Sequence, residues 1–312
     1  MILNNHNKKD TVLRELYSKR EYYMMAVPGI LYFFVFSYLP LVGIILAFKN
    51  FNIQDGILGS PWVGLKNFEF YFLSDTAWRT TRNTLVLNML FIFYGLLFQM
   101  GYALMLNEMV SKLFKKLFQS FMFLPYFISW VIASTFVMNL FGSNYGIVNE
   151  LLEAIGMERV QWFYNAKYWP AILTGLSLWK NTGFGVIIYL AVITGIDIKL
   201  YEAAELDGAN RFQKIRYITL PYLIQTAIIL VLLAIGKIFY GDFGMIYSIV
   251  GDNGMLLETT DVIDTYVFRA LRNSGDFGMS TAIGLYQSVV GFMLVFASNA
   301  LARKYQSDSA LF

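Results

Sequence analysis

The 312-residue chain has no cysteine and a single histidine, His6. The first absence excludes disulfides, thiolate nucleophiles and cysteine metal sites, and the scarcity of the second removes the side chain most used for proton transfer near neutral pH. Charge is scarce as well. Only 14% of residues are Asp, Glu, Lys or Arg, and the formal net charge of +3 is spread without a basic stripe, which leaves no surface suited to nucleic acid. No G-x-x-x-x-G-K-[ST] phosphate loop occurs: the pair Gly236–Lys237 has Val231 where that motif needs its first glycine. The chain is therefore expected to be no enzyme and to bind no metal or cofactor of its own.

What is abundant is apolar. Hydrophobic residues make up 57% of the chain, and a mean hydropathy of +0.52 is too high for an ordinary water-soluble domain. About 20 apolar residues are needed to cross a hydrocarbon core of about 30 Å. Six windows qualify, at 24–48, 84–106, 117–141, 169–194, 219–240 and 281–302. The expected fold is an all-α integral membrane protein of six transmembrane helices in one domain. The first window lacks a small-residue cleavage pattern and reads as a retained span. Before it, Val12, Leu13, Leu16 and Tyr17 have helical spacing among charges, which fits either a short helix on the membrane surface or a solvated leader.

Charge orients the spans. With a cytoplasmic N-terminus, segments 1–23, 107–116, 195–218 and 303–312 share one side and carry 14 Lys and Arg against 9 acids, whereas the opposite side carries 12 acids and fewer bases. The positive-inside rule then puts both termini in the cytoplasm, with Lys112, Lys115 and Lys116 in a short loop as the firmest indicators. The opposite segments, 49–83, 142–168 and 241–280, are longer and hold Trp62, Trp78, Trp162 and Trp169 near span ends. These serve either as interfacial anchors or in docking an external partner.

One connection is out of character. "EAAELDGANRFQKIRYITLP", residues 202–221, carries three acids and three bases between two oily spans. Leu200, Ala203 and Ala204 stand at i, i+3 and i+4 on a narrow helical face, with Tyr201 and Glu205 on another. Gly208 supplies a turn that tolerates positive φ, Asp207 or Asn210 is placed to cap a second helix, and Pro221 fixes the entry to the fifth span. A connection of this length and pattern suggests a docking element.

This stretch resembles the EAA loop of the transmembrane subunits of bacterial ABC importers, matching it at Glu202, Ala203, Ala204, Gly208, Ile218, Leu220 and Pro221. Stretches such as "PGILYFFVFSYLPLVGIILAFKNF", "SPWVGLKNFEFYF", "DVIDTYVFR" and "TAIGLYQSVVGFMLVFASNALARKY" extend the likeness over nearly the whole chain, to the LplB-like oligosaccharide permeases of the maltose-type superfamily. The resemblance implies a type I importer permease of the bacterial cell membrane in which segment 195–221 holds a cytoplasmic coupling helix. Tyr201, Glu202, Ala203, Ala204, Asp207 and Gly208 would contact a separate ATPase, and Glu202 would face its basic residues. It also implies a homologous second permease, two copies of the ATPase holding ATP and Mg, an extracellular sugar-binding lipoprotein and an oligosaccharide cargo. One departure is Ile198, where many relatives have proline before the loop helix.

Two lysines fall within the windows. A lysine deep in a bilayer costs about 2.5–3.5 kcal/mol on insertion scales, so Lys180 and Lys237 should each face water or a partner. Counted along ideal helices, both lie about 21–24 Å from the Thr194 and Pro221 ends. Trp179, Asn181, Phe184 and Tyr240 surround them in sequence and suit a sugar ring and its hydroxyls. One reading makes both lysines carboxylate ligands for an acidic, uronic-acid-containing cargo; the other has Lys237 snorkelling and Lys180 pairing with the second permease. Gly183, Gly185 and Pro125 are expected to allow close packing or a kink. Asp261 and Asp264 would either meet the binding protein or fold the outer loop. A secondary transporter is disfavoured by the lack of central acids in the windows, and an intramembrane enzyme by having only Lys180 with Ser177 to offer.

Overall fold

The computed structural model describes residues 18–305, so the segment proposed for the membrane surface at 12–17 and most of the C-terminal tail lie outside the described residues. Helices dominate. Among the described residues there is no strand, only an isolated bridge between Lys49 and Trp62. Five helical stretches are long and apolar enough to cross a membrane: Arg20–Phe48, Asp75–Asn107, Ala166–Thr194, Arg211–Ile235 and Phe277–Ala300.

The third expected span is not one rod. Lys112–Phe127 and Trp130–Phe141 meet at 102°. At about 1.5 Å per residue neither piece alone reaches the roughly 30 Å of a hydrocarbon core. Two local causes are visible. Pro125 has no N–H to donate and sits in a 3-10 turn, Leu124–Phe127. Ser129 then starts a new helix, accepting the Ile132 N–H on its hydroxyl at 3.3 Å.

The fifth span also ends earlier than expected, at Ile235 rather than 240. After Gly236 the chain runs in tight turns, with Lys237, Ile238 and Tyr240 each donating to the carbonyl three residues back. The carbonyls released from helical pairing are taken up by neighbours. Asn88 on the second span donates to the Ile238 and Tyr240 oxygens at 2.9 and 3.1 Å, and Gln287 on the sixth to that of Phe239 at 2.8 Å. A polar side chain replacing a lost backbone donor is what makes such a break tolerable in lipid.

The second and fourth spans form the central pair. Lipid offers no hydrophobic drive for helix association, so close contact depends on small residues and polar bonds. Gly185 lies against Gln99: a Cβ there would come within 2.0 Å of that side chain. At one end of this pair Ala103, Leu106, Tyr189, Leu190, Ile193 and Leu223 form a cluster; toward the other, Leu87, Trp169, Leu173, Met245 and Leu256 form a second. The first span is different. It is apolar throughout and almost wholly exposed, and only its 3-10 segment, Leu39–Phe48, packs well, against the sixth.

The connections sort to two ends of the bundle, as the alternation of spans requires. Residues 107–110, between the second and third spans, line the same cavity of about 600 Å³ as Ile198, Tyr201, Glu205 and Thr219 from the connection between the fourth and fifth. The other connections interlock at the opposite end: Asn67 donates to the carbonyls of Ala47 and Lys49, Asn253 to that of Phe163, and Thr259 to that of Ala166.

Candidate functional site: a self-capped hairpin and a bent span

The stretch singled out by its charges folds as a helical hairpin. Asp197 caps the helix Ile198–Leu206 by accepting the Lys199 N–H, so Ile198 in place of proline leaves a capped start. The helix ends in a Schellman turn: Ala209 N–H donates to Ala204 O at 2.8 Å and Gly208 N–H to Glu205 O at 3.0 Å, with Gly208 at φ +75°. Asn210, not Asp207, caps the next helix. Its side chain accepts the Gln213 N–H while Gln213 accepts the Asn210 N–H, closing a capping box over Arg211–Lys214. A π-helical turn, Ile215–Thr219, leads into Leu220–Ile235, with Pro221 in its first turn.

The hairpin is tied across its two arms. Lys214 Nζ meets Glu205 Oε1 at 2.6 Å, and this ammonium holds the Glu205 carboxyl below its ordinary range. The Tyr201 hydroxyl pairs with Thr219 Oγ1 at 2.8 Å, bolting the first arm to the root of the fifth span. Tyr201 and Ala204 are thus half-buried on the inner side, while Glu202, Ala203, Asp207 and Gly208 are exposed on the outer one. Glu202 has no side-chain partner among the described residues. Leu206, one helical turn beyond Glu202, is 91% exposed at the hairpin tip. Sequence reasoning passed over it, although its i+4 spacing from Glu202 was the available signal.

The expected cargo residues do not form one cluster. Trp179 lines an apolar recess of about 440 Å³ with Phe98, Tyr102, Phe118 and Phe121. Asn181 makes a long bond to Ser177 at 3.4 Å. The Tyr240 hydroxyl pairs with Ser288 at 3.1 Å. Lys237 lies in the turn after the fifth span, exposed and without a side-chain partner among the described residues. Lys180 is engaged with the bent span: its ammonium donates to the carbonyls of Tyr126, at 2.9 Å, Pro125, at 3.4 Å, and Ile128. Phe184 stacks on Tyr126 with ring centroids 4.9 Å apart. Gly183 is a packing residue, since a Cβ there would meet the Met122 carbonyl at 2.0 Å.

At the opposite end, Asp261 is fully buried and pairs with Arg79, at 3.2 Å, and Arg269. Asp264 accepts from Gly241 N–H at 2.6 Å and from Gln287 at 3.2 Å, and burial pushes its carboxyl up from the ordinary value of 3.8. Both aspartates hold the connections at this end together.

Comparison with known proteins agrees with this architecture. Residues 92–307 match the family described as binding-protein-dependent transport system inner membrane component. The chain is 36% identical over 307 residues to the polygalacturonan/rhamnogalacturonan transport system permease protein YteP of Bacillus subtilis (strain 168), covering 98% of this chain and 95% of the relative. It is 35% identical over 286 residues to protein LplB of the same organism, covering 92% and 89%. A chain in the crystal structure of a bacterial ABC transporter involved in the import of the acidic polysaccharide alginate superposes with a TM-score of 0.87 at 33% identity, covering 95% of this chain and 99% of that one. Six expected spans, one of them bent, and a match over more than two thirds of the sequence lead to one conclusion: the chain belongs to the binding-protein-dependent inner membrane component family, as a multi-pass ABC transporter permease.

Proposed function

We propose that this chain forms half of the translocation path of an importer for an acidic oligosaccharide and that its hairpin, facing the cytoplasm, is the docking element for a separate ATPase. The observation that carries the docking is the division of labour within the hairpin. Its own caps, the Tyr201–Thr219 bond and the Glu205–Lys214 pair hold its shape, leaving Glu202 exposed and unpaired. A carboxylate presented on a self-supported helix is suited to a basic cleft on a partner. ATP and Mg then belong to two copies of that ATPase. A second homologous permease supplies the other half of the path, and an external sugar-binding lipoprotein delivers cargo. Closure of the ATPase dimer biases the spans between inward- and outward-open states.

The acidic cargo is supported by the neighbour named for import of the acidic polysaccharide alginate and the relative named for polygalacturonan and rhamnogalacturonan. Within this chain we assign a cargo carboxylate to Lys237, whose ammonium is exposed.

Reconstitution with partner permease, ATPase and receptor tests both parts. Glu202→Ala should lower receptor-stimulated ATP hydrolysis and uptake by at least about tenfold, the loss of one charge-assisted contact, while cargo binding by the isolated receptor stays the same. Unchanged uptake and hydrolysis would remove the docking role. Lys237→Met should reduce uptake of uronic-acid oligosaccharides relative to neutral ones, and equal preference before and after would remove the cargo assignment. Because the chain has no cysteine, Asn210→Cys tests orientation directly: it should resist a membrane-impermeant thiol reagent applied from outside.

A further inference from the structure

We propose that Lys180 is the clasp that sets the bend of the third span, and so positions the aromatic surface of Tyr126, Trp130 and Phe184, instead of binding cargo itself. A lysine ammonium has three N–H donors and no acceptor. Here three carbonyls, from Pro125, Tyr126 and Ile128, surround it. Those of Tyr126 and Ile128 accept no backbone N–H, because the 3-10 turn stops at Phe127 and the next helix begins its ladder at Ser129 O. Without the lysine, both would lose this donor at a partly buried break within a span, where an unmade bond is costly.

The cation is also accounted for. No acidic side chain pairs with Lys180 among the described residues, but its Nζ lies 5.8 Å from the Tyr126 ring centroid and 5.3 Å from that of Trp130. Carbonyl dipoles and two aromatic faces stabilise a partly buried ammonium. Residues 180, 183 and 184 stand at i, i+3 and i+4, on one face of the fourth span. All three grip the bent span: Lys180 its freed carbonyls, Gly183 the Met122 backbone, and Phe184 the Tyr126 ring. This face is a bearing for the bend.

The same device occurs independently where the chain leaves the first span. Lys49, 3% exposed, donates to the carbonyls of Ile57 and Leu58 at 3.0 and 2.6 Å and lies 5.1 Å from the centre of the Trp62 ring. In both places an ammonium donates to more than one backbone carbonyl and lies beside an aromatic ring.

The absence of cysteine allows the bend to be measured. In the assembled transporter, spin labels at Leu117→Cys and Met138→Cys, both exposed and on opposite sides of the break, should report one narrow distance by pulsed electron paramagnetic resonance. Lys180→Met should broaden or shift it, and Lys180→Arg, which keeps N–H donors, should restore most of it. Uptake by Lys180→Met should fall about tenfold, as expected for losing more than one hydrogen bond made by a charged group, and by the same factor for acidic and neutral oligosaccharides. If Lys180→Met does not assemble, Lys180→Leu, which likewise has no N–H donor, takes its place, with broadening again the expected result. An unchanged distance distribution would overturn the clasp, as would a loss confined to acidic cargo with the bend intact. The link to transport rests on the importer reading above, but the distance measurement does not. A bend that depends on Lys180 in a complex that moves no sugar would leave the clasp standing and count against the importer.

Discussion

The two ends of the bundle use the same charged residue types in opposite ways. At the end away from the hairpin the acids are turned inward: Asp261, fully buried, is shared by Arg79 and Arg269, and Asp264 accepts from Gly241 N–H and the Gln287 amide. At the hairpin, backbone caps do most of the holding, and Glu202 is left pointing away from the chain. Charge turned inward holds one end together. Charge left outward gives the other end the exposed carboxylate on which the proposed docking rests.

Three changes would break or sharpen this contrast. The largest effect is expected at Asp261. Asp261→Ala strands two arginines whose Nε (Arg79) and Nη1 (Arg269) atoms are already buried without a partner among the described residues. Removing one member of such a cluster costs about 3–5 kcal/mol, and thermal unfolding of the purified complex should show it as a clear loss of stability. Gly208→Val comes next. There is room for the side chain, with nothing within 4 Å of a Cβ, so the cost is backbone strain alone at φ +75°, about 1–2 kcal/mol. The expected outcome is a folded bundle with fewer sugars moved per ATP, and unchanged coupling would show that the turn need not be left-handed.

The smallest effect is a pH dependence at Asp264. Its folded pKa is raised by burial, so the native state binds a proton more readily than the unfolded chain does. The sign follows: the penalty is fully present above the raised pKa and disappears as pH falls toward the ordinary value of 3.8. Asp264→Asn, which keeps an acceptor for Gly241, should therefore raise stability relative to the parent chain at neutral pH and lose that advantage on acidification. An advantage independent of pH would show that the carboxylate is not the source.

What could be read in the sequence follows from the kind of signal each feature leaves. The hairpin was legible because its determinants are local: a glycine for positive φ, an asparagine to cap, a proline to begin the next helix. The bend was only half legible. Pro125 suggested a kink and Ser129 is a good N-cap, but a hydropathy window averages over both. Lys180 could be recognised as a residue needing a partner, yet its partners are backbone carbonyls, which every residue has and no sequence pattern marks. Counting along ideal helices put Lys237 inside the fifth span, because nothing local announced that Asn88 and Gln287 would capture carbonyls beyond Gly236.

The bond between the Tyr201 hydroxyl and Thr219 has a mechanical consequence. It is a strut across the open side of the hairpin, so a thrust on the first arm reaches the root of the fifth span without passing through Gly208. The fourth span would receive the same thrust directly through Gly195–Asp197, which puts two load paths behind one contact. In the docking role proposed above, the left-handed turn would serve as a spacer that keeps the arms apart, and the strut would deliver the stroke.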